Sequence, residues 1–276
     1  MIPKIIHYIW IDKSPNEKVK LSHLFQMCMM SARIANPDYR IVIHTNKDID
    51  WEMLKKEDFE VDIISNDLIE SGKKLGISFD NDYCNLAHMS DWVRYNILYN
   101  EGGIYLDIDI VILKSFDDLL DKHFVISSET SKKICNGVIL SRKNENVLEK
   151  IINNYLTDYQ KDDWIYNSQI KPYEFIKEDN TCTVLERTAG FHYPYFGEFK
   201  YFESPCKYID SEKDIRKYFK CRGHHFFNHI RNTAKYQKQF VNASDNVYIA
   251  QLGNYILRKY GILDDVLPTE QDLYSE

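Results

Sequence analysis

The sequence predicts an α/β fold in which a mixed, mostly parallel sheet is flanked by helices. Short β-branched and aromatic runs alternate with segments of helical periodicity over most of the chain, as is typical of parallel sheets covered by helices. The 276 residues are enough for an ample hydrophobic core. Two aspartates follow directly on an apolar strand segment, and ligands bind beyond the carboxyl ends of strands in such sheets.

Strand and helix signals follow one another in a regular order. Strands are predicted where β-branched and aromatic residues cluster, over residues 5–11, 39–45, 61–65, 104–106, 124–127 and 134–141. Helices are predicted from a capping box at Ser14 to about Ala35, and over 67–75, 82–99, 144–159 and 248–260. We expect Asn81 or Asp80 to cap the start of the 82–99 helix, and Gly102-Gly103 to end it. Residues 162–208 give no readable pattern.

The most informative local pattern is the pair Asp107 and Asp109, which follows the apolar strand and the Gly102-Gly103 break. Carboxylates beside a core cost free energy unless they are paired or bind a cation. On the preceding helix, Asp91 and Arg94 are three residues apart and therefore share one face. The helix face and the aspartate pair can converge on one cleft. Oxygen-only ligands there would suit Mn²⁺ or Mg²⁺.

Composition excludes several classes of function. The net charge of −7 argues against a nucleic-acid binder, which needs an excess of Lys and Arg. Six cysteines without a C-x-x-C pair are typical of reduced thiols in a cytosolic protein. The chain starts directly with a strand, with neither a signal peptide nor an apolar run of membrane-spanning length. We therefore expect a cytoplasmic protein that could meet a membrane only from its surface.

Residues 90–109, SDWVRYNILYNEGGIYLDID, resemble the DXD-containing sugar-binding region of glycosyltransferase family 32, and residues 2–12, IPKIIHYIWID, resemble its first strand. The likeness covers about the first 115 residues. It implies a GT-A fold for a single domain over residues 1–276. In that domain, residues 1–115 would bind a nucleotide sugar, and residues 116–276 would form the acceptor side and a C-terminal flap.

The resemblance also implies roles for individual residues. Asp109 would hold Mn²⁺ or Mg²⁺ with the diphosphate, and Asp107 would hold the ion, its water shell or the ribose. Asp91 and Arg94 would grip the sugar hydroxyls. Trp10 would stack on the base, whereas His7 is expected to pack and hydrogen-bond within the sheet. The basic zone 213–238 is either a solvated surface segment or the flap, and it could also touch a membrane surface. The remaining implied site residues are Asn136, as a donor-binding residue, and His225 before His224, as a further metal ligand.

The implied activity is that of a metal-dependent, retaining glycosyltransferase. We expect a UDP-sugar donor more than a GDP-sugar, and a glycan or lipid-linked glycan as acceptor. Bacterial surface-polysaccharide synthesis, with peripheral contact at the cytoplasmic face of the inner membrane, is the expected setting.

Two alternatives remain open from the residues. Residues 106–113, LDIDIVIL, also fit the pattern of haloacid-dehalogenase-like phosphatases, in which Asp107 would be a nucleophile and Mg²⁺ the cofactor. The mid-chain position of the motif and the Gly102-Gly103 break count against that class, and Asp264-Asp265 is only a weak match for its later acidic pair. An inactive carbohydrate-binding protein of the same fold is the other alternative, and the intact motif argues against it.

Overall fold

The protein is represented by a computed structural model. It describes residues 1–12, 19–50, 58–77, 83–130, 132–186, 190–192, 202, 204–206, 208–211, 213–215, 221–225, 238–241 and 246–259.

The described chain alternates strands and helices. The strands are β1 Ile5–Trp10, β2 Val19–Lys20, β3 Arg40–Thr45, β4 Ile49–Asp50, β5 Phe59–Ile63, β6 Gly103–Leu106, β7 Ile110–Ile112, β8 Phe124–Thr130, β9 Lys133–Ser141, β10 Cys182–Leu185, β11 Phe191–His192 and β12 Gly223–His225. The helices are α1 His23–Ala35, α2 Asn66–Lys74, α3 Tyr83–Glu101, α4 Asn146–Asp158, α5 Lys171–Lys177 and α6 Tyr248–Lys259. A 3₁₀ turn spans Asp117–Leu119, and a π-helical turn spans Tyr166–Ile170.

The main sheet has seven strands in the order β10-β8-β9-β6-β1-β3-β5. β1 is an interior strand, parallel to β3 on one side and to β6 on the other. β3–β5 and β8–β10 are also parallel, whereas β9 is antiparallel to both β6 and β8. The prediction of a mixed, mostly parallel sheet flanked by helices is therefore confirmed.

A second sheet of three short strands, in the order β11-β12-β7, lies beside the main one. β12 is antiparallel to β7, with His225 opposite Ile110 and Gly223 opposite Ile112. Because β7 begins directly after Asp109, this pairing carries a C-terminal segment to the aspartate pair.

Two apolar clusters cover the two faces of the main sheet. One contains side chains of α1, α6, β6 and β7, and includes Tyr8, Met27 and Phe116. The other contains side chains of α3, α4, β8 and β9, and includes Trp92, Tyr95 and Phe124. Helices thus bury both faces, which explains why these strands are near-continuous apolar runs.

The prediction of a helix from Ser14 to Ala35 is wrong in its first part. The helix begins at His23, because the Ser22 hydroxyl accepts a hydrogen bond from the Phe25 amide and caps it. Val19–Lys20 is instead a short strand parallel to β4. The expected capping box at Ser14 and the expected caps Asp80 and Asn81 lie outside the described residues.

The Gly102-Gly103 break has a steric origin. Both glycines have positive φ, 70° and 102°. A Cβ on Gly103 would lie 2.7 Å from the Ile5 carbonyl oxygen and 2.8 Å from Nε2 of His7. Only glycine fits where α3 and β6 approach β1 this closely.

His7 packs and hydrogen-bonds within the sheet. Its Nε2 lies 2.9 Å from the Gly102 carbonyl oxygen, and its Nδ1 lies 2.9 Å from Nε2 of His44. A carbonyl oxygen can only accept, so the His7 proton lies on Nε2. Burial and the neighbouring His44 lower the pKa of His7 to about 3, and the ring is therefore neutral.

None of the helices in the described part of the chain has both the length and the apolar character needed to cross a lipid bilayer.

The two positive-φ glycines Gly103 and Gly76 provide a matched test of this packing. We expect Gly103→Ala to lower the free energy of unfolding by about 2–4 kcal/mol, because it adds a collision with β1 to the backbone strain. Gly76 has a φ of +84°, but a Cβ there would have no atom within 4 Å. Gly76→Ala should therefore lower the free energy of unfolding by only about 1 kcal/mol. Urea unfolding of both variants measures the difference, and equal losses would contradict the collision.

Candidate functional site

A cavity of about 730 Å³ opens at the carboxyl ends of β1 and β6. Residues from four parts of the chain line it: the end of β1 with Phe25, one face of α3, the loop between β6 and β7, and a wall formed by β9, β12 and the segment before α5. The described lining residues are Ile9, Trp10, Ile11, Phe25, Leu86, Ala87, Ser90, Arg94, Tyr105, Asp107, Ile108, Asp109, Cys135, Asn136, Trp164, Gln169 and His225.

Three metal-ligating side chains converge in this cavity. One ligand atom from each of Asp107, Asp109 and His225 lies within 4.8 Å of the others. Nε2 of His225 is 3.0 Å from Oδ1 of Asp109 and 3.9 Å from Oδ2 of Asp107. The two carboxylates are ligands that suit Mn²⁺ or Mg²⁺, and the imidazole adds a nitrogen ligand to them. The cluster therefore fits the metal expected from the sequence.

The charge state of His225 reflects its carboxylate neighbours. Burial by itself lowers the pKa of this histidine, but the Asp109 carboxylate outweighs it and holds the pKa well above the usual value. The Asp109 carboxylate therefore favours a proton on this imidazole. A cation bound by these three side chains would compete with that proton.

Close backbone packing holds Asp107 in place. Its amide donates to the Gly137 carbonyl oxygen at 2.8 Å, and Oδ1 accepts from the Tyr105 hydroxyl at 2.6 Å. A Cβ on residue 137 would lie 2.5 Å from Oδ2 of Asp107. Gly137 therefore leaves the space that this carboxylate occupies.

Arg94 lies between the two acidic groups predicted from the sequence. Its Nη2 is 3.2 Å from Oδ1 of Asp91 and 3.4 Å from Oδ1 of Asp107. Its Nη1 donates to the Asn136 carbonyl oxygen at 2.7 Å, and the guanidinium stacks over the Tyr105 ring at 4.2 Å. The structure thus brings Arg94, Asp107 and Asn136 together at one cavity wall.

Asp91 lies behind that wall and has no exposed surface. Its Oδ1 accepts from Nδ2 of Asn136 at 2.8 Å, and its Oδ2 accepts from Nε1 of Trp164 at 2.9 Å. Burial raises the pKa of Asp91 to about 6, although Arg94 and these donors act in the opposite direction. In this structure Asp91 supports Arg94, Asn136 and Trp164, and it does not itself line the cavity. Its predicted contact with a sugar stays a prediction.

The two neighbouring histidines of β12 have different environments. His224 is fully buried and contacts the Tyr248 hydroxyl at 3.1 Å through Nε2, on the side away from the aspartates. Only His225 reaches the aspartate pair, in agreement with the order expected from the sequence. Most of the basic zone 213–238, including His229, lies outside the described residues.

A second ion pair anchors β12. Arg222 donates through Nη1 and Nη2 to the two carboxylate oxygens of Asp118, at 2.9 and 2.6 Å. The Leu113 amide also donates to the Arg222 carbonyl oxygen at 2.7 Å. These contacts fix the strand that carries His225 onto the segment that follows β7.

Trp10 lines the cavity at the end of β1 and packs against Phe25, with ring centroids 5.6 Å apart. Its predicted stacking on a nucleotide base stays a prediction. Sequence reasoning missed two further lining residues, Trp164 and Gln169. Both lie in the stretch 162–208 that gave no readable pattern, where the only signal was a richness in aromatic residues.

Residues 22–125 match the family described as "glycosyltransferase sugar-binding region containing DXD motif". The chain carries a DXD-type glycosyltransferase region. In that region the DXD motif is Asp107-Ile108-Asp109, and the family resemblance expected from the sequence is confirmed.

Curated relatives agree with this match. The chain is 25% identical over 210 residues to glucan organizing enzyme 1 of Cryptococcus neoformans, which is 70% of this chain and 55% of the relative. It is 30% identical over 158 residues to an uncharacterized glycosyltransferase of Acanthamoeba polyphaga mimivirus, which is 56% of this chain and 55% of the relative. The chain thus spans about half the length of these relatives.

Among solved structures, an active-site mutant of LgtC aligns with a TM-score of 0.52 at 11% identity, over 98% of this chain and 99% of the other. At this low sequence identity the alignment supports a shared fold and nothing about activity. The GT-A fold expected for the DXD region is confirmed.

The buried Asp91 gives a pH dependence of known sign. Its folded pKa of about 6 lies above the ordinary value of 3.8, so its contribution to stability is full below about pH 4 and is lost as pH rises through about 6. We expect the difference in unfolding free energy between wild type and Asp91→Asn to shrink by about 1 kcal/mol from pH 5 to pH 7. Urea unfolding at four pH values tests this, and a difference that grows with pH would contradict it.

Proposed function

We propose that the protein is a metal-dependent glycosyltransferase that moves a sugar from a nucleotide diphosphate sugar to a glycan acceptor. One observation carries the proposal: Asp107, Asp109 and His225 meet within 4.8 Å inside a cavity that is also lined by apolar and aromatic residues at the end of β1. A nucleotide sugar needs an aromatic or apolar place for its base and a cationic place for its diphosphate. The cavity offers both.

Asp109, Asp107 and His225 would hold Mn²⁺ or Mg²⁺. When bound, such an ion supplies positive charge against the departing diphosphate. The protein side chains have separate tasks. Tyr105 and Gly137 keep Asp107 in position, and Arg94 presents a fixed cation at the same wall. Because Arg94 is already ordered by Asp91 and Asn136, it needs no reorganisation when charge develops.

The nucleotide would lie at the β1 end of the cavity. Ile9, Trp10 and Phe25 form an apolar wall there, and stacking of a base on an aromatic ring contributes about 1–3 kcal/mol. We propose a UDP-sugar in preference to a GDP-sugar, following the family resemblance.

Following the family resemblance, we propose that transfer retains the anomeric configuration without a covalent sugar–enzyme intermediate. Among the described lining residues, the only carboxylates are Asp107 and Asp109, and both belong to the metal cluster. A covalent sugar–enzyme intermediate would need another carboxylate in the cavity. In the proposed reaction the bond from the sugar carbon to the phosphate oxygen breaks, the acceptor oxygen bonds to the same face, and the leaving phosphate takes the acceptor proton.

The acceptor that we propose is a glycan or a lipid-linked glycan. The relatives' names support this class, since one of them names a glucan. Another relative is inositol phosphoceramide mannosyltransferase 3 of Schizosaccharomyces pombe. It is 26% identical over 153 residues, which is 55% of this chain and 37% of the relative. A cytoplasmic location, contact with the membrane surface and a role in bacterial surface polysaccharides stay predictions from the sequence.

Asp109→Ala tests the metal site. We expect at least about a 100-fold loss of transfer or donor hydrolysis, because the variant loses a carboxylate that holds the cation. Mn²⁺ with UDP or GDP should raise the melting temperature of wild type but not of the variant. Asp121→Ala is the matched control, since the Asp121 side chain is 72% exposed and forms an ion pair with its surface neighbour Lys122.

Full activity in Asp109→Ala would overturn the assignment. A wild-type protein that ignores Mn²⁺ and activated sugars but cleaves simple phosphate esters would instead support the phosphatase alternative with Asp107 as nucleophile.

A further inference from the structure

The segment Trp164–Ile170 forms part of the cavity wall. Local sequence patterns did not predict this contribution. The last five residues of the segment, Tyr166–Ile170, form a π-helical turn that runs directly into α5. π-helical turns are rare, and they occur frequently at functional sites. Two side chains of this segment, Trp164 and Gln169, line the cavity.

Hydrogen bonds hold the turn in one conformation. Asn167, 1% exposed, donates through Nδ2 to the carbonyl oxygens of Gln160 and Asp163 at 2.6 and 2.8 Å. Its Oδ1 accepts from the Gln160 amide at 3.0 Å. The Ser168 hydroxyl, fully buried, donates to the Trp164 carbonyl oxygen at 2.7 Å. These side-chain bonds replace bonds to water and preorganise the turn.

Trp164 ties the turn to the metal side of the cavity. Its indole donates to Oδ2 of Asp91, and Oδ1 of the same carboxylate accepts from Asn136 and contacts Arg94. Arg94 in turn lies 3.4 Å from Asp107. A continuous buried network therefore sets the distance between the turn and the DXD motif.

Gln169 is the exception in this segment. It lines the cavity, and its side chain makes no hydrogen bond to any residue that the structure describes. A carboxamide offers two donors and one acceptor, and a sugar hydroxyl can satisfy either kind. The fold thus fixes the backbone of this residue while its amide stays available to a ligand.

We propose that Gln169 determines donor-sugar specificity by hydrogen-bonding a hydroxyl of the sugar that is transferred. The inference rests on the proposed function. In the donor, the sugar is attached to the diphosphate, so it lies close to the metal. Gln169 and Asn136 line the same wall of the cavity. Asn136 precedes Gly137, which contacts Asp107. The apolar β1 end is left for the base. A site that hydrogen-bonds a substrate hydroxyl rejects an analogue that lacks it, because the protein group is left unpaired.

The test compares Gln169→Ala with a matched amide, Gln160→Ala. Gln160 is exposed and lies four residues before this segment, and among the described residues its side chain bonds only to Asp158. Titration calorimetry with Mn²⁺ would measure the Kd of UDP, UDP-glucose and UDP-galactose, and of GDP and GDP-mannose. Kinetics would give kcat/KM for the same donors, and thermal unfolding without ligand would check that the variants fold.

We expect Gln169→Ala to leave the Kd of the nucleoside diphosphate within about twofold and to weaken the accepted nucleotide sugar about tenfold, which corresponds to one hydrogen bond. The kcat/KM ratio between two donors that differ at one hydroxyl should change by about tenfold. Gln160→Ala should match wild type in every measurement.

Three results would overturn the inference. Gln169→Ala could bind and discriminate nucleotide sugars as wild type does, or it could weaken UDP and UDP-sugar equally, which would mean a contact with the nucleotide. It could also change only the KM of the acceptor, which would place Gln169 at the acceptor. Wild-type protein that binds no nucleotide with Mn²⁺ would remove the proposed function itself, and that result differs from all three.

Discussion

The buried guanidinium of Arg94 is the contact on which the rest of the site depends. It lies between the carboxylates of Asp91 and Asp107, bonds to the Asn136 backbone and covers the Tyr105 ring. Buried charges are tolerated only when they are paired and hydrogen-bonded, and removing one partner of a buried pair costs about 3–5 kcal/mol. Because its partners belong to α3, β6 and β9, Arg94 fixes the relative positions of three elements that meet at the cavity.

The metal cluster adds a long-range constraint. Asp109 and His225 are far apart along the chain, and they meet because β12 pairs with β7 in a register that places His225 opposite Ile110. The Arg222–Asp118 ion pair fixes the other end of β12. The Asp109 carboxylate raises the pKa of the buried His225 beside it. The strand pairing and the ion pair therefore hold this donor set together.

The cavity divides its tasks between rigid elements. The end of β1 and Phe25 provide apolar surface, the segment after β6 provides carboxylates, and the turn before α5 adds Trp164 and Gln169. Polar side chains that face protein, such as Asn167 and Ser168, are satisfied within it. A preformed site of this kind loses little entropy when a ligand binds.

The sequence by itself determined the fold class, most of the strands and helices of the first 160 residues, and the DXD motif, because periodicity, glycine breaks and strand-end carboxylates are local patterns. It also placed Asp91 and Arg94 on one helix face, but it could not show that Asp91 lies behind the cavity wall. The family resemblance ranked His225 before His224, but only the tertiary structure shows why His225 reaches Asp109, since that depends on the register of β12 against β7. Local patterns also predicted the wrong start for α1, because the helix is capped by Ser22 and not by Ser14. They did not predict the turn that carries Gln169, because partners in other elements hold that turn.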